Sequence, residues 1–467
     1  MTTERTDFEW LRHPEAEAYL LARLDEAVDA MPPLRAFGAE LMARTSSRLV
    51  DWVDHLVVAG GDGPVRLLAD LGFEPEAVPA EPGDTVYHHP GTTLPRIVLR
   101  DEADAAPGTT VAAAIQVEDI SFFLMSRPDL WTHHSSVPIE GSLVSPYRRA
   151  RVWQAPEREV LVVERRGHGG FVPTAMPSDY PQRYLAAFEA WATRPRLFAD
   201  RRAGMEGMLA LARSLVSDMG TDTAAWIAFA AERAYWQQRN RAGQVQKARQ
   251  DSLGLGWANH DHHTFRSSRD VFPLLIQILE TFGFRARERF YAGAEAGWGA
   301  QVMEQPVCRF AVFADVDLSA GEVEGDFAHT PLPPRQELGT VGLWCALHGE
   351  SMLGAGLHHL ASRFHFDAAT ANLAEWGIKM MRPFSDFSYL RQAFTQGERW
   401  EVAPDRLERV AAVGQIDAAQ REQFAERGAI GSHMENIQRG EGFKGFNQQT
   451  VSDIIRRTDP RTGFGAA

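Results

Sequence analysis

Apolar residues near the start recur at helical spacing. Leu20, Leu21, Leu24 and Val28 fall on one side of a 3.6-residue helix, and the break Met31-Pro32-Pro33 follows. The pattern predicts a helical segment over residues 1–46. Residues 47–176 read as short strands around a helix, with the acidic, Pro- and Gly-containing stretch Ala80–Asp84 as a loop. Residues 177–252 read as a helical connector. Ser178 and Asp179 suit its cap, Pro181 suits its first turn, and Tyr184, Phe188 and Trp191 repeat at helical spacing. The Gln- and Arg-rich stretch Ala231–Lys247 predicts a solvated helix. Strand-like segments return over residues 253–467.

The two strand-rich regions share an order of elements, which predicts a diverged internal repeat. One copy runs WVDHLVV, VRLLADLGF, LPRIVLRDEAD and VERRGHGGF. The other runs WANHDHHTFR, LLIQILETFGF, PVCRFAVFADVD and MENIQRGEGFKGF. In each, a helix closes on a glycine, Gly72 or Gly283, just past its last apolar turn. Each copy is also expected to finish on a helix, around Pro181–Trp191 and Thr450–Arg457. The fold class expected is α+β: two diverged βαβββ-type modules with mixed curved sheets, plus helical N-terminal and central segments.

The second copy carries the candidate chemistry. Three segments place a metal-ligand type four residues before an arginine: His262 to Arg266, His359 to Arg363, and Glu435 to Arg439. On a strand, residues i, i+2 and i+4 share a face, so each segment sends a ligand and a guanidinium the same way. Two His and one carboxylate with open positions is the ligand set of non-haem Fe(II) oxygenases. Guanidinium binds carboxylate bidentately, which suits an acidic substrate. His260 shares the face of His262 and is a rival ligand; His263 points the other way. Leu357, His359, Ala361 and Arg363 share a face, with small Ala361 leaving room, and His358 is the rival there. Glu422, Glu426 and Glu441 compete with Glu435. The first copy keeps His55 and Glu164, but Ala59 stands where an arginine is needed and VAAAIQVEDISFF has no His. That copy reads as structural.

Composition narrows the field. At 467 residues the chain calls for two to four domains. A net charge of -14 repels phosphate backbones, so no nucleic-acid partner is expected, and an anionic substrate needs a local cluster of cations. Cys308 and Cys345, without CxxC spacing, exclude a disulfide framework and a cysteine-rich zinc site. No apolar run approaches the roughly 20 residues of a membrane span. The opening MTTERTDFEWLRHPEAEAY lacks an apolar signal core, so a reducing cytoplasm is the expected location. AGGDGP at Ala59–Pro64 lacks the Lys-Ser/Thr of a phosphate loop. Ser135 and Ser136 sit in no nucleophile elbow.

The paired strand-helix-strand modules resemble the vicinal oxygen chelate superfamily. Within it, His262-His263-Thr264-Phe265-Arg266, His358-His359-Leu360-Ala361-Ser362-Arg363 and Met434-Glu435-Asn436-Ile437-Gln438-Arg439-Gly440 resemble three strands of the 2-oxoadipate dioxygenase/decarboxylase family. Gly442-Phe443-Lys444-Gly445-Phe446 and Ser452-Asp453-Ile454-Ile455 are similar to that family's end. Ser362 departs from the family's proline, His358 from its asparagine, and about Asp405–Arg427 has no counterpart. The resemblance implies Fe(II) held by His262, His359 and Glu435. It implies a 2-oxo acid such as 2-oxoadipate reacting with O2 to give a 2-hydroxy acid and CO2. Arg266 is then the first candidate for a substrate carboxylate and the catalytic arginine, followed by Arg363 and Arg439. Four strand residues span roughly 13 Å, which suits the far end of an extended diacid. A metal-dependent lyase, isomerase or hydrolase of the same fold, or a non-enzymatic binding protein, are the alternatives.

Overall fold

The computed structural model describes residues 10–130, 136–294, 296–447 and 459–461. Thr450–Arg457, the Ser452–Ile455 motif and Ser135 lie outside the described residues.

Two curved mixed sheets carry the chain. The first contains β1 (Val53–Ala59), β2 (Glu74–Pro75), β3 (Asp84–His88), β4 (Arg96–Arg100), β5 (Thr110–Gln116), β6 (Ile139–Glu140), β7 (Tyr147–Ala155) and β8 (Arg158–Arg165), in the order β2-β3-β4-β1-β5-β8-β7-β6. Helix Asp62–Asp70 follows β1 and helix Ile120–Ser126 follows β5. The sheet is thus two βαβββ units joined by antiparallel pairing of their first strands, β1 and β5.

The second sheet repeats this plan. Its strands are β9 (His260–Arg266), β10 (Arg285–Tyr291), β11 (Trp298–Gln305), β12 (Phe310–Asp317), β13 (His359–Arg363), β14 (Ser385–Phe387), β15 (Leu390–Phe394), β16 (Glu398–Trp400) and β17 (Ala429–Arg439). The order is β10-β11-β12-β9-β13-β17-β15-β14, with β16 paired to β17. Helices Phe272–Thr281 and Phe366–Glu375 follow β9 and β13. Each module is therefore a pair of βαβββ units, so the described residues hold four. Each copy read from the sequence is such a pair. VAAAIQVEDISFF is the first strand and helix of a second unit. Gly72 and Gly283 take φ of 83° and 80°, the left-handed turn that closes each first helix.

Helices Pro14–Ala30 and Pro32–Thr45 bury Leu20, Leu24, Leu34 and Leu41 with the apolar residues of the first sheet. Helices Tyr180–Ala192, Arg201–Met219, Thr221–Gln237 and Arg241–Asp251 share a core with the second: Trp191, Met205, Trp226, Phe229 and Trp236 join Phe265, Leu275, Phe310, Leu360 and Met434. Ala231–Lys247 is not one solvated helix. It spans two helices separated before Arg241, where the side chain of Asn240 accepts from Gly243 N. Its polar groups are paired inside the protein: buried Glu232 meets Arg194 at 2.6 Å and Arg196 at 2.8 Å, and Gln246 donates to Thr45 O at 3.0 Å. Helices Pro404–Ala412 and Ala418–Arg427 are an insertion between β16 and β17. Leu407, Val410 and Phe424 pack on Leu343 and Leu347 of helix Thr340–His348. No helix among the described residues is long and apolar enough to cross a membrane.

Candidate metal centre

Three adjacent strands build the site. The register pairs His262 of β9 with Ala361 of β13, and Ala361 with Glu435 of β17; His359 pairs with Thr264, two residues along. Ala361 is too small to fill the space between its neighbours, so the imidazole and the carboxylate close over it. His262 Nε2 lies 3.1 Å from Glu435 Oε2, and His359 Nε2 lies 3.2 Å from the same oxygen. One ligand atom from each residue falls within 4.8 Å of the others, and all three residues are buried.

Neighbouring groups orient this triad. Asp261 Oδ1 lies 3.0 Å from His262 Nδ1, which turns Nε2 inward toward Glu435. Arg439 holds Asp261 bidentately, Nε to Oδ2 at 2.8 Å and Nη2 to Oδ1 at 2.9 Å, and Arg363 Nε adds a third contact at 3.0 Å. Gln392 Nε2 donates to Glu435 Oε1 at 2.8 Å. Thr264 Oγ1 lies 2.9 Å from His359 Nε2.

The electrostatics suit a cation. Burial pushes His262 down, but the carboxylates of Glu435 and Asp261 outweigh it and hold its pKa at about 9. Burial pushes Glu435 up, yet His262 and His359 pull it down to about 2. Burial lowers His359. Two imidazole nitrogens thus converge on one ionised oxygen in a dry setting, where a proton or a divalent cation must bridge them. The donor set and its burial fit a divalent metal.

The rival histidines stand apart from this cluster. His260 Nδ1 meets Trp257 O at 2.8 Å; His263 packs edge-on to Phe229; His358 Nδ1 meets Gly431 O at 3.1 Å. Glu441 is engaged by Arg12 and Ser388. The three arginines also part company. Arg363 and Arg439 hold Asp261 and do not line the cavity beside the triad. Arg266 is 3% exposed; its Nε lies 3.6 Å from Asp315 Oδ2, and its guanidinium stands 5.5 Å from the Trp344 ring centroid. Among the described residues, Arg266 Nε and Nη1 and Asp315 Oδ1 have no hydrogen-bond partner.

That cavity is about 60 Å³. Besides the triad and Thr264, it is walled by Phe290, Trp298, Phe313, Phe384, Phe394 and Phe446. Asp315, Gln392 and Asn447 supply its polar positions.

The first sheet repeats the frame without the triad. His55 Nδ1 meets Asp54 Oδ2 at 2.7 Å, and Arg165 holds Asp54 at 2.6 and 2.9 Å. Arg165 Nη1 then donates to His168 O and Gly170 O, as Arg439 Nη1 does to Phe443 O and Gly445 O. Phe171 stacks edge-on to His55 as Phe446 does to His262. By register, however, Ala112 occupies the place of His359 and Leu161 that of Glu435. Glu164 is not the counterpart of Glu435. It lies three residues beyond Leu161, pairs with Arg148 and Arg166, and accepts from Ile120 N at 2.9 Å.

Sequence reasoning passed over Asp261, Gln392 and Asp315. The dipeptide Asp-His, present in both copies as Asp54-His55 and Asp261-His262, was the signal for the first; the other two belong to no motif.

No family model and no curated protein matches the chain. Among solved structures it is similar to a triple mutant of 4-hydroxymandelate synthase from Streptomyces coelicolor, at 12% identity and TM-score 0.27, covering 90% of this chain and 98% of that one. It is similar to a fusion of a xylose isomerase-like TIM barrel with 4-hydroxyphenylpyruvate dioxygenase, at 13% and 0.24, covering 90% and 53%. It is similar to methylmalonyl-CoA epimerase from Mycobacterium tuberculosis, at 12% and 0.23, covering 39% and 89%. At such TM-scores these likenesses carry no argument, and the fold rests on the strand order and register above.

Proposed function

We propose that the protein is a non-haem Fe(II)-dependent dioxygenase that decarboxylates a 2-oxo acid, with His262, His359 and Glu435 as the metal ligands. One observation carries this reading: two imidazole nitrogens and one carboxylate oxygen converge on the wall of an aromatic-lined cavity that stays open to a substrate. Fe(II) bound there supplies O2 activation and a chelation point for the 2-oxo acid. The chain's own residues set the geometry. Asp261 fixes the ring of His262, Gln392 leaves Glu435 one free oxygen, and the six aromatic rings exclude water. One 2-oxo acid and one O2 give one CO2 and a 2-hydroxy acid one carbon shorter.

The family resemblance favours a diacid such as 2-oxoadipate, with Arg266 meeting its far carboxylate. In that pose the substrate takes over the guanidinium that Asp315 now faces. A second reading rests on the cavity wall: six rings, and a cation already matched by Asp315, favour an uncharged aromatic side chain in the same reaction.

The deciding experiment is anaerobic Fe(II) reconstitution followed by O2 uptake with 2-oxoadipate, 2-oxoglutarate and an aromatic 2-oxo acid. Metal content is measured in the wild type and in His262→Ala and His359→Ala. The expected result is one metal per chain, lost in both variants, and O2 consumed in equal amounts with one acid of the panel. Metal binding without O2 uptake on any acid turns the assignment to a lyase, isomerase or hydrolase using the same triad. Full metal occupancy in both variants overturns the ligand set.

A further inference from the structure

A second cavity, about 70 Å³, lies where the end of the first sheet meets the start of the second. Its acidic groups are already engaged. Asp51 is held by Arg48 at 2.6 and 3.0 Å, and Asp54 by Arg165 and His55. Arg363 borders the cavity and shares its carboxylate partner, Asp261, with Arg439.

Arg309 is the cation left over. Among the described residues it has no carboxylate partner, and its hydrogen bond goes to Leu94 O at 2.9 Å. Its side chain is exposed and borders this cavity. Burial, then the guanidiniums of Arg96 and Arg363, lower its pKa to about 10, which leaves it charged at neutral pH. Its backbone carries a cost as well. Arg309 sits in the turn between β11 and β12 at φ 57°, a left-handed conformation disfavoured for a non-glycine residue.

We infer that this inter-module cavity binds one small tetrahedral oxyanion of the inorganic-phosphate kind, held by the guanidiniums of Arg309 and Arg363. Charge-assisted bonds from guanidinium to oxyanion are the strong kind. With a net charge of -14 on the chain, only such a local cluster can hold an anion. The donors come from two separate elements, the β11–β12 turn and the end of β13. A tetrahedral anion offers oxygens in several directions, whereas a carboxylate offers two in one plane. Arg363 joins this cavity to Asp261 beside the triad, but Arg309 has no contact with the triad, so the inference stands whether or not the proposed reaction does.

The test is calorimetric titration of the full-length protein with inorganic phosphate at constant ionic strength, for wild type, Arg309→Gln and Arg309→Lys. Thermal midpoints without phosphate show that each variant is folded. Wild type is expected to bind one phosphate saturably. Arg309→Gln should lose about tenfold or more in affinity and Arg309→Lys less, because a charged hydrogen bond is removed or weakened. Excess acetate should not displace the phosphate. The proposal falls if no saturable binding is seen, if folded Arg309→Gln binds phosphate as wild type does, or if acetate displaces it at equal concentration.

Discussion

Gln392 Nε2 donates to Glu435 Oε1 at 2.8 Å, and the other carboxylate oxygen, Oε2, faces both His262 and His359. The amide therefore decides which oxygen can serve as a ligand. Gln392→Leu keeps the bulk and removes the donor. Because partners of metal ligands typically contribute about 10- to 100-fold in affinity, the variant should bind metal weaker by about that factor. Competition against a coloured chelator measures it. A folded Gln392→Leu protein with wild-type affinity refutes the role.

Asp261 and Asp54 form a controlled pair. Each carboxylate is buried, gripped bidentately by an arginine four residues past the third ligand position, and each touches a histidine. Replacing either by Asn strands a buried guanidinium, which costs on the order of 3–5 kcal/mol. Urea unfolding should show comparable losses for Asp261→Asn and Asp54→Asn. Metal binding should separate them: it weakens in Asp261→Asn and holds in Asp54→Asn, since Ala112 and Leu161 leave His55 without companions. Equal metal loss in both variants points to a site that draws on both modules.

Strand parity in the sequence puts His262 and His263 on opposite faces and small Ala361 on the face of His359, because side chains alternate along a strand. Register was not legible. Arg363 and Arg439 share faces with ligands, yet both turn to Asp261, and a register shift between Ala361 and Ser362 ends the regular alternation there. The doubling of each module was hidden for a different reason. Strands such as Glu74–Pro75 and Ile139–Glu140 are two residues long and carry no period to read. The Ala231–Lys247 helices looked solvated because their charge is high, but paired charges such as Glu232 with Arg194 and Arg196 can be buried. That pairing crosses some 40 positions of sequence and leaves no local trace.

Asp315 gives a pH signature. Burial raises its pKa to about 7, with Arg266 only partly opposing. The folded value lies above the unfolded one near 3.8, so the native state favours the protonated acid. The associated stability is fully present below about pH 4 and is lost as pH rises through about 7; the difference amounts to about 4 kcal/mol at most. Asp315→Asn cannot ionise. In metal-free protein its urea midpoint, relative to wild type, should climb between pH 4 and 8. A difference between the two proteins that does not change with pH shows that Asp315 is already ionised in the native state.

Arg266 decides between the two substrate readings. It is buried behind Asp315 with two nitrogens unbonded among the described residues, so it can accept a carboxylate only by exchanging it for Asp315. If the substrate is a diacid, Arg266→Ala should lower kcat/KM by on the order of 100-fold, the effect of losing a charge-assisted contact. Arg266→Lys should then recover a part, because ammonium lacks the planar fork. If the six rings of the cavity select an uncharged aromatic acid, both variants should keep kcat/KM within a few-fold for that acid, and Asp315→Asn should disturb turnover no more than they do. O2 uptake by the four Fe-loaded proteins, with 2-oxoadipate and the aromatic acid side by side, separates the cases. A loss of about equal size on both acids removes Arg266 from substrate recognition and makes it a structural partner of Asp315.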